Sequence, residues 1–267
     1  MTSQVCFTTE GSTPVLISMP HNGTALAPEI EPKLTPTARE VPDTDWAIDV
    51  LYDFAEQLGV HTLQPTYNRI VIDLNRDPQG VNLYPGAQST ELCPTSCFDF
   101  SDIYRQGMAP DAHEVARRVQ TYWQPYHSTL ALKLEQIRAE HGIAILLDAH
   151  SIRSQVARFF EGELPDFNFG TADGSSCSDA LQTHLAAFDS APYSQVSNGR
   201  FKGGYITRAY GQPQNNIHAV QLELSQRTYM NSTQQTYDEA NAAQVKPVLR
   251  RFVEHLLSFA QTHKEAL

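Results

Sequence analysis

At 267 residues, with 41% hydrophobic and 18% charged residues, the chain can bury one sizeable core and is too balanced for a disordered tail. Its formal charge of −11, from 30 acidic against 19 basic residues, excludes a nucleic-acid surface, which needs clustered Lys and Arg. No apolar run is long enough to span a bilayer, and Met1-Thr-Ser-Gln-Val-Cys6 lacks the regions of a signal peptide, so a cytoplasmic protein with no membrane partner is expected.

In chain order, Pro14-Val-Leu-Ile-Ser-Met19 reads as a short strand running into Pro20-His21-Asn22-Gly23, which holds His21 on a constrained turn. Four prolines between residues 24 and 42 make a loop with at most one short helix. Ala47, Leu51, Phe54, Ala55 and Leu58 recur at helical spacing before Gly59, which predicts a helix from about Asp45 to Leu58 with Asp43 and Thr44 at its cap. Asp45 is then either a first-turn acid favoured by the helix dipole or a carboxylate ligand presented from a rigid start. Val60–Gln64 and the alternating, β-branched Arg69–Leu74 read as two further strands. Asn75-Arg76 follows the second, where a guanidinium can grip a substrate carboxylate bidentately or pair with Asp73 or Asp77. Residues 77–109, rich in Pro and Gly, predict a long loop forming a lid or pocket wall.

A helical stretch from Pro110 to about His141, divided by Pro125, buries Val115, Val119, Tyr122, Leu130, Leu134 and Ile137 and leaves His113, His127 and His141 at the surface or at helix ends. Ile143-Ala-Ile-Leu-Leu-Asp-Ala-His-Ser151 is an apolar run ending in acid, imidazole and hydroxyl, the signature of a covered strand with a site beyond its carboxyl end. Asp148 and His150, two apart, share a face, so one can bind an ion while the other lines or orients it. Arg153 and Arg158 follow closely, then a loop from Gly162 to Gly174 and a helix from Ser178 to Phe188. The segment from Asn198 to Arg208 combines Arg200, Lys202 and Arg208 with glycines, suited to a loop that closes on an anion. In Ala219–Ser225, Val220, Leu222 and Leu224 occupy one face and Gln221, Glu223 and Ser225 the other. A helix from about Thr236 to Ala260 closes the chain. Cys6, Cys93, Cys97 and Cys177 lack the spacing of a thiolate metal site.

Two histidines and a carboxylate around an open position form a common hydrolytic zinc site, with a further carboxylate as general base. His21, Asp45 and His150 can supply the first set and Glu223 the base.

The strings PVLISMPHNG, VPDTDWAIDVLYDFAEQLG, RIVIDLNRDP, DAHSIRS with ARFFEGELPDFNFGT, and NGRFKGGYITRAYG with HAVQLELSQRTYM together resemble the N-formylglutamate amidohydrolase family over nearly the whole chain. The resemblance implies an α/β fold of zinc-carboxypeptidase or phosphorylase/hydrolase-like type, a mixed central sheet flanked by helices, in a single domain over residues 1–267. It implies hydrolysis of N-formyl-L-glutamate to formate and L-glutamate in histidine degradation, with one divalent metal, zinc foremost and cobalt or iron as alternatives. By the same resemblance His21 and His150 match the metal histidines and Glu223 the catalytic glutamate. Zinc carboxypeptidases carry their carboxylate ligand three residues after the first histidine; here that position is Thr24, so Asp45 is the choice, with Asp43 as alternative. Asn75-Arg76 resembles the pair that holds the substrate carboxylate in those relatives, which makes Arg76 a site residue, and Arg153, Arg158, Arg200, Lys202 and Arg208 form the implied basic pocket. The partner is then a small anionic substrate, for a monomer or small homo-oligomer. An amidohydrolase of another N-acyl amino acid or small peptide, or a metal-binding protein without turnover, are the rival readings.

Overall fold

Alternation along the long central strands decides where chemistry can sit. The computed structural model describes residues 4–81, 86 and 88–265. Seven strands, β1 (Cys6–Thr9), β2 (Val15–Ser18), β3 (His61–Pro65), β4 (Ala144–Ile152), β5 (Phe167–Gly170), β6 (Gln195–Ser197) and β7 (Ile217–Ser225), form one sheet in the order β1-β3-β2-β4-β7-β5-β6. β3, β2, β4 and β7 are parallel, β1 joins β3 antiparallel, and β5 joins β7 antiparallel, so the sheet is mixed. Helices α1 (Pro36–Arg39), α2 (Ile48–Leu51), α3 (Ala112–Arg118), α4 (Gln124–His141), α5 (Asp179–Ala186), α6 (Tyr205–Tyr210) and α7 (Glu239–Glu265) flank it.

One face, with Val15, Ile17, Ile145, Leu147, Ala149, Val220, Leu222 and Leu224, packs against α2, α5 and α7. The opposite face begins apolar, with Leu16, Leu146 and Ala219 in the core under α4. Toward the carboxyl ends that second face turns polar. Ser18 pairs with Asp148, Asp148 with Gln221, and His150 with Glu223. All are buried, as expected for a ligand site beyond the carboxyl ends of parallel strands.

Four sequence expectations are corrected. Arg69–Leu74 is not a strand: it runs as turns, with Val71 N–H bonded to Asn68 O and Asp73 N–H to Leu92 O in place of ladder bonds. The helix expected over 45–58 is only α2 followed by a 3₁₀ stretch, Asp53–Leu58. Ala47, with φ of 55°, turns the chain just before α2 and leaves Asp45 outside it. The stretch from Gly162 to Gly174 contains β5, whose Phe-Asn-Phe-Gly is too short to show alternation. His127 is buried, with its ring stacked 3.6 Å from that of Trp123, since it continues the inward stripe of Trp123, Leu130 and Leu134. In the expected loop 77–109, residues 82–85 and 87 lie outside the described residues.

Candidate active site

His21, Asp45 and His150 converge, with one donor atom from each within 4.8 Å of the others, and all three are buried. β2 delivers His21 through the Pro20 turn, and β4 carries His150 near its end. Asp45 is fixed by the backbone: its N–H donates to His21 O at 3.1 Å. Its Oδ2 lies 3.1 Å from His150 Nδ1, 3.7 Å from His21 Nδ1 and 3.0 Å from the Ser151 N–H that it accepts.

The outer nitrogens have partners of their own. His21 Nε2 is 2.7 Å from Asp73 Oδ1, and His150 Nε2 is 3.1 Å from Asp148 Oδ1. Assigned on this network, His21 donates its Nε2–H to Asp73 and accepts at Nδ1 from Arg69, while His150 sets Nδ1 against Asp45 and Nε2 against Asp148. Two imidazole nitrogens and a carboxylate oxygen, oriented by outer carboxylates, fit a divalent ion such as zinc. Arg69 donates from Nη1 to His21 Nδ1 at 3.3 Å, pairs through Nη2 with Asp73, and lies 5.0 Å over the Phe98 ring. That buried guanidinium beside the cluster escaped the sequence reading because Arg69 was assigned to a strand. Asp73, weighed there only as a partner for Arg76, instead holds His21 and Arg69.

The cleft above the cluster has a volume of about 70 Å³, and Arg69, Arg76, Phe98, Phe159, Arg200 and Glu223 are among its walls. Burial pushes the Glu223 carboxyl up to about 8, aided by the Asp45 and Asp148 charges and opposed by His150 and Arg69. Burial would lower His150, but Asp148 and Asp45 against its two nitrogens reverse this and raise it well above the usual range. For Asp73, burial raises the carboxyl, and the Arg69 and His21 charges outweigh it and hold it well below its ordinary value.

Because the folded chain holds the Glu223 proton more tightly than the unfolded chain, this group's stabilising contribution is complete below about 4.5 and is lost as pH rises through about 8. Chelator-treated Glu223→Gln should therefore melt above the equally treated parent at pH 9 by a few degrees, at about 2–4 °C per kcal/mol, with a smaller gap at pH 5. Calorimetry at both pH values checks this, and an equal gap at both would remove Glu223 as the source.

The remaining cations separate into two groups. Arg76 and Arg200 line the cleft, Arg76 holding Thr90 O at 3.1 Å and Arg200 bonded to Phe159 O. Asn75 also lines it, but its amide is engaged: Oδ1 accepts from Ile206 N–H at 2.8 Å, and Nδ2 lies 2.9 Å from His150 Nε2 and 3.4 Å from Asp148 Oδ2. Arg153 is exposed and borders a neighbouring cavity beyond Phe98. Arg158 turns to Cys97 O at 2.8 Å, Lys202 pairs with Asp173 at 3.0 Å, and Arg208 bonds Gly203 O at 2.9 Å. None of these four lines the cleft that holds the cluster. Asp43 lies outside the cluster, accepting from Phe98 N–H at 2.9 Å.

A narrow polar cleft at the carboxyl edge of a mixed sheet, with two histidines, a carboxylate and a buried glutamate, is the equipment of a hydrolytic enzyme of the α/β class. A family model described as N-formylglutamate amidohydrolase matches residues 13–230, and the chain belongs to that family. The N-formylglutamate deformylase of Pseudomonas aeruginosa is 50% identical over 254 residues, which cover 94% of this chain and 95% of its own. That of Pseudomonas putida is 46% identical over 253 residues, 94% of each chain. The crystal structure of N-formylglutamate amidohydrolase from Ralstonia eutropha JMP134 shares the fold, with a TM-score of 0.78 over 98% of this chain and 99% of that one at 23% identity. An Agrobacterium tumefaciens gene product does so with a TM-score of 0.70 over 98% and 97% at 17% identity.

Proposed function

We propose that this chain hydrolyses N-formyl-L-glutamate to formate and L-glutamate. The reading is carried by the buried His21-Asp45-His150 cluster beside Glu223, in a chain half-identical to an N-formylglutamate deformylase. His21, Asp45 and His150 hold one divalent ion, zinc by the nitrogen and oxygen character of the donors. When bound, that ion supplies Lewis acidity to the formyl oxygen and lowers the pKa of nearby water and of Glu223.

Glu223 takes a proton from water, the resulting hydroxide adds to the formyl carbon, and Glu223 returns the proton to the glutamate nitrogen as the C–N bond breaks. Arg69 faces the oxyanion that develops on the former carbonyl oxygen. Arg76 and Arg200 take the carboxylates of the substrate, providing the local positive charge that a chain of formal charge −11 needs for an anionic substrate. Asp73 and Asp148 keep the two imidazoles oriented. The resemblance to the family supports a place in histidine degradation, and with it a cytoplasmic setting; no described helix is long and apolar enough to cross a membrane.

Formate release from N-formyl-L-glutamate should vanish on chelation and return with zinc or cobalt. Release that survives complete metal removal would overturn the metal-dependent reading. The narrow cleft should also make N-acetyl-L-glutamate poorer in kcat/KM by about 10- to 200-fold, the range for one misfitting methyl group. Equal kcat/KM for the two would show that acyl size is not read here.

A further inference from the structure

Segment 69–76 carries Arg69, Asp73, Asn75 and Arg76, yet it is not a strand and has no ladder to fix its path. Three of its carbonyls are instead gripped by side chains from one helical stretch. Arg118 Nη1 donates to Val71 O at 3.0 Å, His127 Nε2 to Leu74 O at 2.8 Å, and Trp123 Nε1 to Arg76 O at 3.1 Å. Each donor is at least nine-tenths buried, Arg118 completely.

An irregularity of that stretch lets the three act together. Between α3 and α4 runs a π-turn, Val119–Trp123, with Gln124 N–H bonded to Val119 O. In an uninterrupted α-helix residues five apart point about 140° away from each other, at roughly 100° per residue. The wider i→i+5 turn closes that angle and brings Arg118 to the side of Trp123, while His127 follows one α-turn later. Pro125, which has no N–H to donate back to Thr121 O, sits just beyond the π-turn. His127 stays a neutral donor, because burial pushes its imidazole down to about 4.

We propose that Arg118, Trp123 and His127 are positioning residues for the reaction. Through the π-turn they form one rigid template that sets the path of segment 69–76, aiming Arg69 and Arg76 at the cleft and Asp73 at His21. The kinetic part rests on the reading of Arg76 as a substrate-binding residue. Trp123→Phe keeps an aromatic ring against His127 and removes only the donor to Arg76 O.

The test has two arms. In a double-mutant cycle with Arg76→Ala, Trp123→Phe should raise KM for N-formyl-L-glutamate about 3- to 10-fold, as for one lost hydrogen bond, with kcat within about twofold. In the Arg76→Ala background it should raise KM no further. An unchanged KM, or the same rise in both backgrounds, would overturn the proposal. In the second arm, amide exchange at Val71, Asp73 and Asn75 is followed in His127→Leu and His127→Gln, the latter restoring a side-chain N–H. At least about tenfold faster exchange in the Leu variant, near-parental exchange in the Gln variant and unchanged rates in β4 and β7 are expected. Acceleration spread evenly over the sheet, or none, would overturn it. This arm needs no substrate, so a parent protein that releases no formate would remove the functional reading while exchange still decides the template.

Discussion

Glu223→Gln should leave a folded protein whose kcat on N-formyl-L-glutamate is lower by about 10³, within the 10²–10⁴ range for a positioned acid–base group, and whose KM changes little. Gln is nearly isosteric and can donate a hydrogen bond, but it cannot accept the proton of water or hand it to a leaving amine. Glu223 is suited to both tasks because it lines the cleft beside His150, and a bound ion would draw its burial-raised carboxyl down from about 8 toward the range where a proton can be taken and returned at little cost. Metal content should stay at the parental level, since His21, Asp45 and His150 are untouched. Steady-state formate release with metal analysis of the same sample decides the matter: retained turnover would dismiss Glu223 as the base, and lost metal would make it a ligand.

Asp45→Ala should reduce both metal affinity and turnover by more than about 100-fold, beyond the 10- to 100-fold that outer partners of metal ligands usually contribute. Its Oδ2 stands between the Nδ1 atoms of both histidines, so its loss leaves two imidazoles without the intervening charge. Asp43→Ala is the matched control. That carboxyl is pushed up to about 6 by burial and accepts from Phe98 N–H, away from the cluster. Titration with a chromophoric zinc competitor should separate the two variants clearly; equal losses would mean that Asp45 is not the distinguishing ligand.

The legible part of the site was the part marked by a short-range pattern of apolar and polar residues. Asp148 and His150 stand out because an apolar run stops at them, and Glu223 because it breaks neither the period of two nor the polar face it belongs to. Both signals are local, and β4 and β7 do carry these residues side by side. What was hidden depends on partners far away in sequence. Arg69-Ile-Val-Ile-Asp-Leu has the composition of a strand, and only Arg118, His127 and Leu92, brought in by the fold, explain why it runs as turns. Asp45 looked like a helix start because Ala47 has no feature announcing a left-handed backbone. His127 could have been found, since Trp123, His127, Leu130 and Leu134 share one helical face; a polar label on an inward position concealed it. The cations beyond Arg76 were judged by nearness in sequence, which gives no direction to a side chain, and of those five only Arg200 lines the cleft.

β7 is the seventh strand in sequence but stands fifth in the sheet, between β4 and β5. During synthesis the ribosome therefore releases β1 to β6 before the strand that joins the two ends of the sheet. A nascent chain stopped before Ile217 has β4 with one open edge, β5 and β6 without their neighbour, and His150 facing no Glu223. Open edges of this kind invite pairing with other chains. A premature stop within or shortly before this strand should thus yield insoluble product and not a weakened enzyme.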